Sequence, residues 1–502
     1  MNDRPTPEAA LLALVWGIGP MLPAWVSGAV PGSPWTDLYP SVWSVTWFAD
    51  HAAAILPTFA PELAAPAGMP FYAASPLHGA LGVVLVPLVG SADAYTIGIA
   101  LARIATVLAA AWAGRGLGLG RAGALGFAAI YGCAPFFHGY AVEGILEGTD
   151  GWTLALWVGF AARERWLPAS VAAALTVLSS WYLGMAGCLA AAAVAPWSWR
   201  ATASFAAGVG LASPALAAFL SSFSGGAPLD PAIRRAMGAS LTLLPTPGSL
   251  AGANPFAKTT WIGFLPAGLA LWQARKNPWW ALGAVVAFAL ALGAGPLYAL
   301  PVWRAVRFPY RLHAVVLLAV AKLAGGALDR LPLRIGLGVA LVCVVEGLLL
   351  SPVEPVLPSA PKAVSAIRCA NPGAVVLDVP GPVALPPGQV NPSRPRARYL
   401  LYELGVCRTR TPWAFDFNAV GARGAEAPAL TAVRSWDRIV RLPHAPVDVA
   451  GLRAAGVDLV AVHPDELGDD VAAAFGAALA AGGARPIGQD EASWFDLRPL
   501  GP

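Results

Sequence analysis

Twelve apolar stretches, each bounded by polar or proline-rich punctuation, run through the first 351 residues of this chain, at 9–30, 77–90, 93–113, 122–136, 150–163, 167–180, 183–197, 201–222, 259–273, 281–298, 312–329 and 335–351. A helix needs about 20 apolar residues, sometimes about 17, to cross hydrocarbon, and lipid tolerates only elements that satisfy their backbone internally. Repetition on this scale leaves one architecture, a polytopic helical bundle of about 11 to 13 helices. Several stretches are short, so tilted or broken helices are expected. The stretch 77–90 reads as re-entrant or half-inserted. The first stretch follows only Arg4 and lacks a polar cleavage region, which reads as a retained span and not a removed signal peptide.

Composition agrees: 57% of residues are hydrophobic and 12% charged, where a soluble domain carries about a quarter charged. Of the 60 charged residues, 29 fall in residues 352–502. The chain therefore divides into a transmembrane domain, 1–351, and a soluble domain, 352–502. In the latter, 374–379 (AVVLDV) reads as a strand, 449–455 as a helix, 457–462 (VDLVAV) as a strand and 470–481 as a helix, a small α/β domain. The stretch 380–395 reads as loop. The net charge of +4 and the lack of a basic run argue against nucleic acid. Cys369 and Cys407 show no metal-ligand spacing; outside the cytoplasm they form either a disulfide or two separate thiols.

Basic residues resist translocation, so short basic connections mark the cytoplasmic side. They lie at 162–166 (Arg163, Arg165), 197–200, 274–277 (Arg275, Lys276) and 329–334, and 114–121 resembles them. The segment 31–76 contains no Lys or Arg, and 138–150 is acidic and aromatic. These face outward, with the N-terminus cytoplasmic and the C-terminal domain outside.

Three outward segments carry candidate chemistry. The first, PGSPWTDLYPSVWSVTWFADHA, places Asp37 ahead of an amphipathic pattern that suits a helix in the membrane interface with its indoles at headgroup level. Asp37 stands there either as a reacting carboxylate or as the cap of that helix. The second, FFHGYAVEGILEGTDGWTLALW, gathers His138, Tyr140, Glu143, Glu147 and Asp150. Ionisable groups near membrane depth are costly unless they line a cavity or find partners. Paired carboxylates take up a proton or bind a divalent cation through oxygen; a solvated acidic loop is the plainer alternative, and His138 and His51 read more simply as interfacial side chains. The third, PVWRAVRFPYRLH, sets Arg304, Arg307 and Arg311 against the positive-inside bias. Guanidinium matches phosphate; snorkelling or pairing with Asp37 and the Glu143 loop are the alternatives. Trp181 and Tyr182 face either a substrate cavity or the interface, and Lys258 ends a long outer loop.

In this order, TDLYPSVW, FYAASPL, GYAVEGILEG, SSWYLG and LPVWRAVRFPYR, the segments resemble bacterial GT-C glycosyltransferases, including branches with an extracytoplasmic tail. The resemblance implies a bacterial inner-membrane enzyme that takes a sugar from a polyprenyl-phosphate donor to a glycan, lipid or protein acceptor. It implies catalysis by Asp37 with Glu143 or Glu147, phosphate binding by Arg304, Arg307 and Arg311, and a cavity with His138, Tyr140, Trp181 and Tyr182. A divalent cation, Mg or Mn, would sit on Asp37 and Glu143. The chain departs from the better-known branches in having no Asp-x-Asp pair in the second outer loop. A transporter or lipid-linked-sugar flippase, and an inactive scaffold, are the competing classes; matching halves with interrupted helices, a mark of many transporters, are not evident.

Overall fold

A computed structural model describes residues 6–34, 38–54, 56–71, 75–194, 198–222, 261–293, 296–300, 303, 306, 309–349, 356, 358–359, 364–381, 395–413, 427–436 and 444–499. Contacts divide the chain into two units: Met1–Ser41, Ala74–Ala217 and Pro228–Ala360 form one, and Val42–Ala73, Ala218–Ala227 and Pro361–Pro502 the other.

The first unit is helical. Four described helices are long and apolar enough to span a membrane, Pro7–Ser27, Ser91–Gly116, Arg121–Glu143 and Pro309–Leu328, or five if Trp199–Leu211 and Ser213–Leu220, bent by 61°, count as one. The expected eleven to thirteen are not reached among the described residues. The other apolar windows form shorter helices, including Pro76–Val89, Trp166–Ser179, Trp181–Ala192, Phe264–Ala274 and Pro278–Ala291. Local sequence explains some of the breaks. Ser180 is extended and separates two apolar helices, and Gly90 at φ 80° turns Pro76–Val89 straight into the next helix. Near its start, His78 lies beside Gly98, eight positions past that turn. The 14-residue helix, about 21 Å long, thus doubles back along its neighbour.

Small residues let these helices approach closely. A Cβ on Gly208 would come within 2.4 Å of the Ala173 methyl. Arg121–Glu143 is interrupted by a π segment at Ala128–Gly132, where Tyr131 Oη donates to the Gly151 carbonyl at 2.8 Å.

One end of this unit collects three of the basic connections. Asp329 accepts from the Gly123 amide at 2.7 Å and from the Gly120 amide, capping the Arg121 helix. Arg163 donates to the Trp112 and Gly159 carbonyls at 2.9 Å and lies 3.9 Å over the Trp112 ring. Lys322 donates to the Leu117 carbonyl at 2.9 Å, and Arg121 pairs with Glu8. The connections 114–121, 162–166 and 329–334 therefore share an end.

The second unit holds a four-stranded sheet in the order Val376–Val379, Leu459–Val462, Ser493–Asp496, Arg485–Gln489, parallel in the first pair and antiparallel thereafter. Helices Val449–Ala454 and Asp469–Ala481 fall where the sequence expects them. The helix Pro395–Cys407 and the last two strands were not expected. Cys369 and Cys407 form a disulfide. Most of the stretch 380–395, expected as loop, lies outside the described residues.

The helix expected after Asp37 forms at Leu38–Asp50, and its indoles are buried within the protein. Trp43 and Trp47, each 2% exposed, pack with Phe48, Phe71, Leu400, Leu404 and Trp413 in the core of the second unit. The Phe71 ring meets both indoles edge-on at 4.9 and 4.7 Å. The Ala64 and Ala65 amides donate to the Trp413 and Thr411 carbonyls at 3.0 and 2.9 Å. Burying such rings against the tail removes more apolar area from water than leaving them at an interface.

Beneath that core Arg368 is fully buried, on Asp378 and 3.4 Å from Glu403, while His463 Nε2 lies 2.9 Å from Asp378. Burial pushes the Asp378 carboxyl up, but Arg368 and His463 outweigh it and hold it below the usual range. A carboxyl lowered in the fold stabilises above its unfolded value and loses that contribution as pH falls. Arg368→Met should therefore destabilise this unit by about 3–5 kcal/mol, because two carboxylates lose their cation. Asp378→Asn should flatten the acid side of the unfolding curve below roughly pH 4. Thermal unfolding across pH and trypsin cleavage of the tail read both effects.

Candidate active site

Away from the basic connections, the acidic loop folds back on its own helix. Pro135–Glu143 ends at Gly144, whose left-handed conformation, φ 72°, lets the Ile145 amide reach the Tyr140 carbonyl at 2.8 Å. The 3-10 turn Leu146–Gly148 follows. Gly148 has no room for a side chain, since a Cβ there would lie 2.0 Å from the Tyr140 ring.

Arg311 is in the turn Pro309–Leu312, which leads into His313–Leu328. It does not snorkel: at 7% exposure, its Nη1 pairs with Glu147 Oε1 at 3.0 Å. The guanidinium lies 4.4 Å from the Tyr182 ring and 5.4 Å from the Tyr140 ring. Each such contact contributes on the order of 0.5–2 kcal/mol. These side chains, with Phe136, Ser180 and Leu183, line a cavity of about 10 Å³, roughly the room of one water. The Trp181 ring lies 4.5 Å from that of Tyr182, tilted by 44°.

The structure therefore unites Glu147, Arg311, Tyr140 and Tyr182. It places His138 elsewhere, with its ring 5.6 Å from that of Trp16. Glu143 is buried, 2% exposed, one residue before Gly144. A Cβ on Gly144 would come within 2.6 Å of Leu38 Cα, and the Ser33 amide donates to the Val142 carbonyl at 2.8 Å. The residue after Asp37 thus packs on the residue after Glu143. Asp37, Arg304 and Arg307 lie outside the described residues, as does Lys258. Among the described residues no group of three or more His, Cys, Asp or Glu is arranged to hold a metal.

Sequence reasoning missed two polar groups here. His78 sits 3.1 Å from Asp150, and Arg103, inside a span, donates through Nε and Nη2 to the Trp16 carbonyl at 3.1 and 2.9 Å. Pro20 explains the second. A helix would use the amide four residues on to cap that carbonyl, and proline has none. A lone arginine in an apolar span was the available signal.

No family model matches the chain, and no curated protein does. Solved structures do. An arabinofuranosyltransferase, AftD from Mycobacteria, superposes with a TM-score of 0.59 at 17% identity, covering 98% of this chain and 40% of the other. ArnT from Cupriavidus metallidurans bound to undecaprenyl phosphate superposes with a TM-score of 0.50 at 15% identity, covering 98% of both. The chain spans about two fifths of the length of the AftD chain it matches. These likenesses show that the chain shares the fold of those two structures.

Two outcomes follow from this geometry. Arg311→Met should cost about 3–5 kcal/mol, with much of that recovered in Arg311→Met/Glu147→Gln, because the penalty is mainly the stranded charge; thermal midpoints of the two proteins in detergent measure it. Gly144→Val should prevent the loop from closing on Leu38, seen as a lowered midpoint and new proteolytic cleavage near residue 144.

Proposed function

We propose that this chain is an integral-membrane glycosyltransferase that moves a sugar from a polyprenyl-phosphate-linked donor to a glycan, lipid or protein acceptor on the outer face of a bacterial inner membrane. The observation that carries the reading is a buried arginine, Arg311, held by Glu147 between two tyrosine rings, at the end of a GT-C fold away from its basic connections. A fixed guanidinium in a dry site favours negative charge developing on a phosphate oxygen. Arg304 and Arg307 join it in this reading, and Tyr140, Trp181 and Tyr182 border the path of the donor.

In the reaction, Asp37 or Glu143 accepts the proton of the acceptor hydroxyl or amine, and the freed electron pair attacks the anomeric carbon. The bond from that carbon to the phosphate oxygen breaks, and its electrons leave on the lipid phosphate, where Arg311 meets them. The close approach of Leu38 and Gly144 supports a shared role for the two acids. A divalent cation, Mg or Mn, is assigned to the same two residues and would neutralise phosphate charge. The basic end is assigned to the cytoplasm with the N-terminus, and the C-terminal domain to the outside. The Cys369–Cys407 disulfide fits an oxidising compartment.

The test is transfer of radiolabelled sugar from a panel of polyprenyl-phosphate donors by the purified protein in lipid. Asp37→Asn and Glu143→Gln should each lower transfer by about 100-fold or more while the thermal midpoint holds. Transfer undiminished in Asp37→Asn would remove Asp37 from the mechanism. Undiminished transfer in both variants, or in Arg311→Met, would sink the reading.

A further inference from the structure

Ser75 and His78 open the Pro76–Val89 helix at the end of the FYAASPL segment, and the chemistry above leaves them without a part. Ser75 Oγ caps the helix, accepting from the His78 amide at 3.4 Å, and sits 2.9 Å from His78 Nδ1. The same nitrogen is 3.1 Å from Asp150 Oδ2, with the two side chains 5% and 2% exposed. The imidazole also lies beside Gly98 of the neighbouring helix. A buried carboxylate 3.1 Å from Nδ1 favours the protonated ring.

Asp150 is tied in turn. Its Oδ1 accepts from Trp152 Nε1 at 2.9 Å. Thr149, just before it, donates through its amide and hydroxyl to the Leu146 carbonyl at 3.0 and 2.8 Å, while Thr106 Oγ1 reaches the Thr149 carbonyl at 3.3 Å. Glu147 lies within this closed turn, three residues from Asp150.

We propose that protonated His78 is a positioning residue: its ion pair with Asp150 clamps the Leu146–Asp150 turn and thereby keeps Glu147 on Arg311. The link to donor binding rests on the phosphate reading of Arg311. Asp150 is the carboxylate beside the imidazole, with Glu147 three residues before it in the same turn. The neighbouring helix Trp166–Ser179 carries no charged residue, and its own helix offers only Ser75. When the ring loses its proton, Asp150 remains buried without a cation, the turn loosens, and Arg311 loses its fixed partner.

The test uses the full chain in lipid nanodiscs, with undecaprenyl phosphate as the probe, across roughly pH 6 to 9. Wild-type affinity should fall about tenfold toward the alkaline end. His78→Gln should bind weakly throughout and lack that fall. His78→Gln/Asp150→Asn, in which two neutral amides replace the ion pair, should recover affinity and stay flat with pH. Thermal midpoints of the same proteins, read without ligand, should follow the same pattern. An alkaline fall identical in wild type and His78→Gln, in binding and in midpoint, overturns the proposal. If wild type fails to bind the lipid phosphate at any pH while its midpoint keeps a His78-dependent fall, the clamp stands and the phosphate reading fails. No binding and no His78-dependent midpoint overturns both.

Discussion

A charged side chain at the centre of a helix in hydrocarbon costs about 2.5–3.5 kcal/mol on insertion scales, so each such group needs a partner inside the protein. In the helical unit much of that demand is met by helix ends, which leave backbone groups unpaired. Asp329 covers the amides that open the Arg121 helix, and Glu346 does the same for the Leu265 amide at 3.0 Å. Arg163 takes two carbonyls, and Arg103 takes the one that Pro20 strands. These contacts tie helices that have little hydrophobic reason to prefer one neighbour over another in lipid.

Among the described residues of this unit, buried charge meets buried charge in two neighbouring pairs, Glu147 with Arg311 and Asp150 with His78. Both lie within the seven-residue connection 144–150 and its partners. Buried ion pairs are poor sources of stability compared with apolar packing, so their presence here points to use. The turn Leu146–Gly148 joins the two, and Tyr140, packed flat on Gly148, lets the loop close over its own helix.

The second unit is organised differently. Its core takes in the segment 42–73 as well as the tail, with Trp43, Trp47 and Phe71 among the leucines of Pro395–Cys407. A segment read as interfacial thus turned out to be core, since an amphipathic helix of aromatic residues suits either destination. The strands 376–379 and 459–462 were legible because short β-branched runs bounded by turn residues have few alternatives. The strand 485–489 was not, as it holds Pro486 and Gly488 and is exposed along its length.

Taken alone, the sequence determined that most of the chain is apolar helix, that a small α/β unit follows, and that acidic and basic residues gather in separate connections. These are consequences of composition and local period, which act over a turn or two of chain. It also marked Glu147 and Arg311 as residues needing partners, because their cost in that setting is local. What only the tertiary structure decided is who those partners are. Glu147 meets Arg311 across 164 positions, Asp150 meets His78 from another helix, and Arg103 meets the carbonyl opposite Pro20 across 87. No local pattern encodes such pairings, since they depend on which helix faces lie side by side once the bundle has packed.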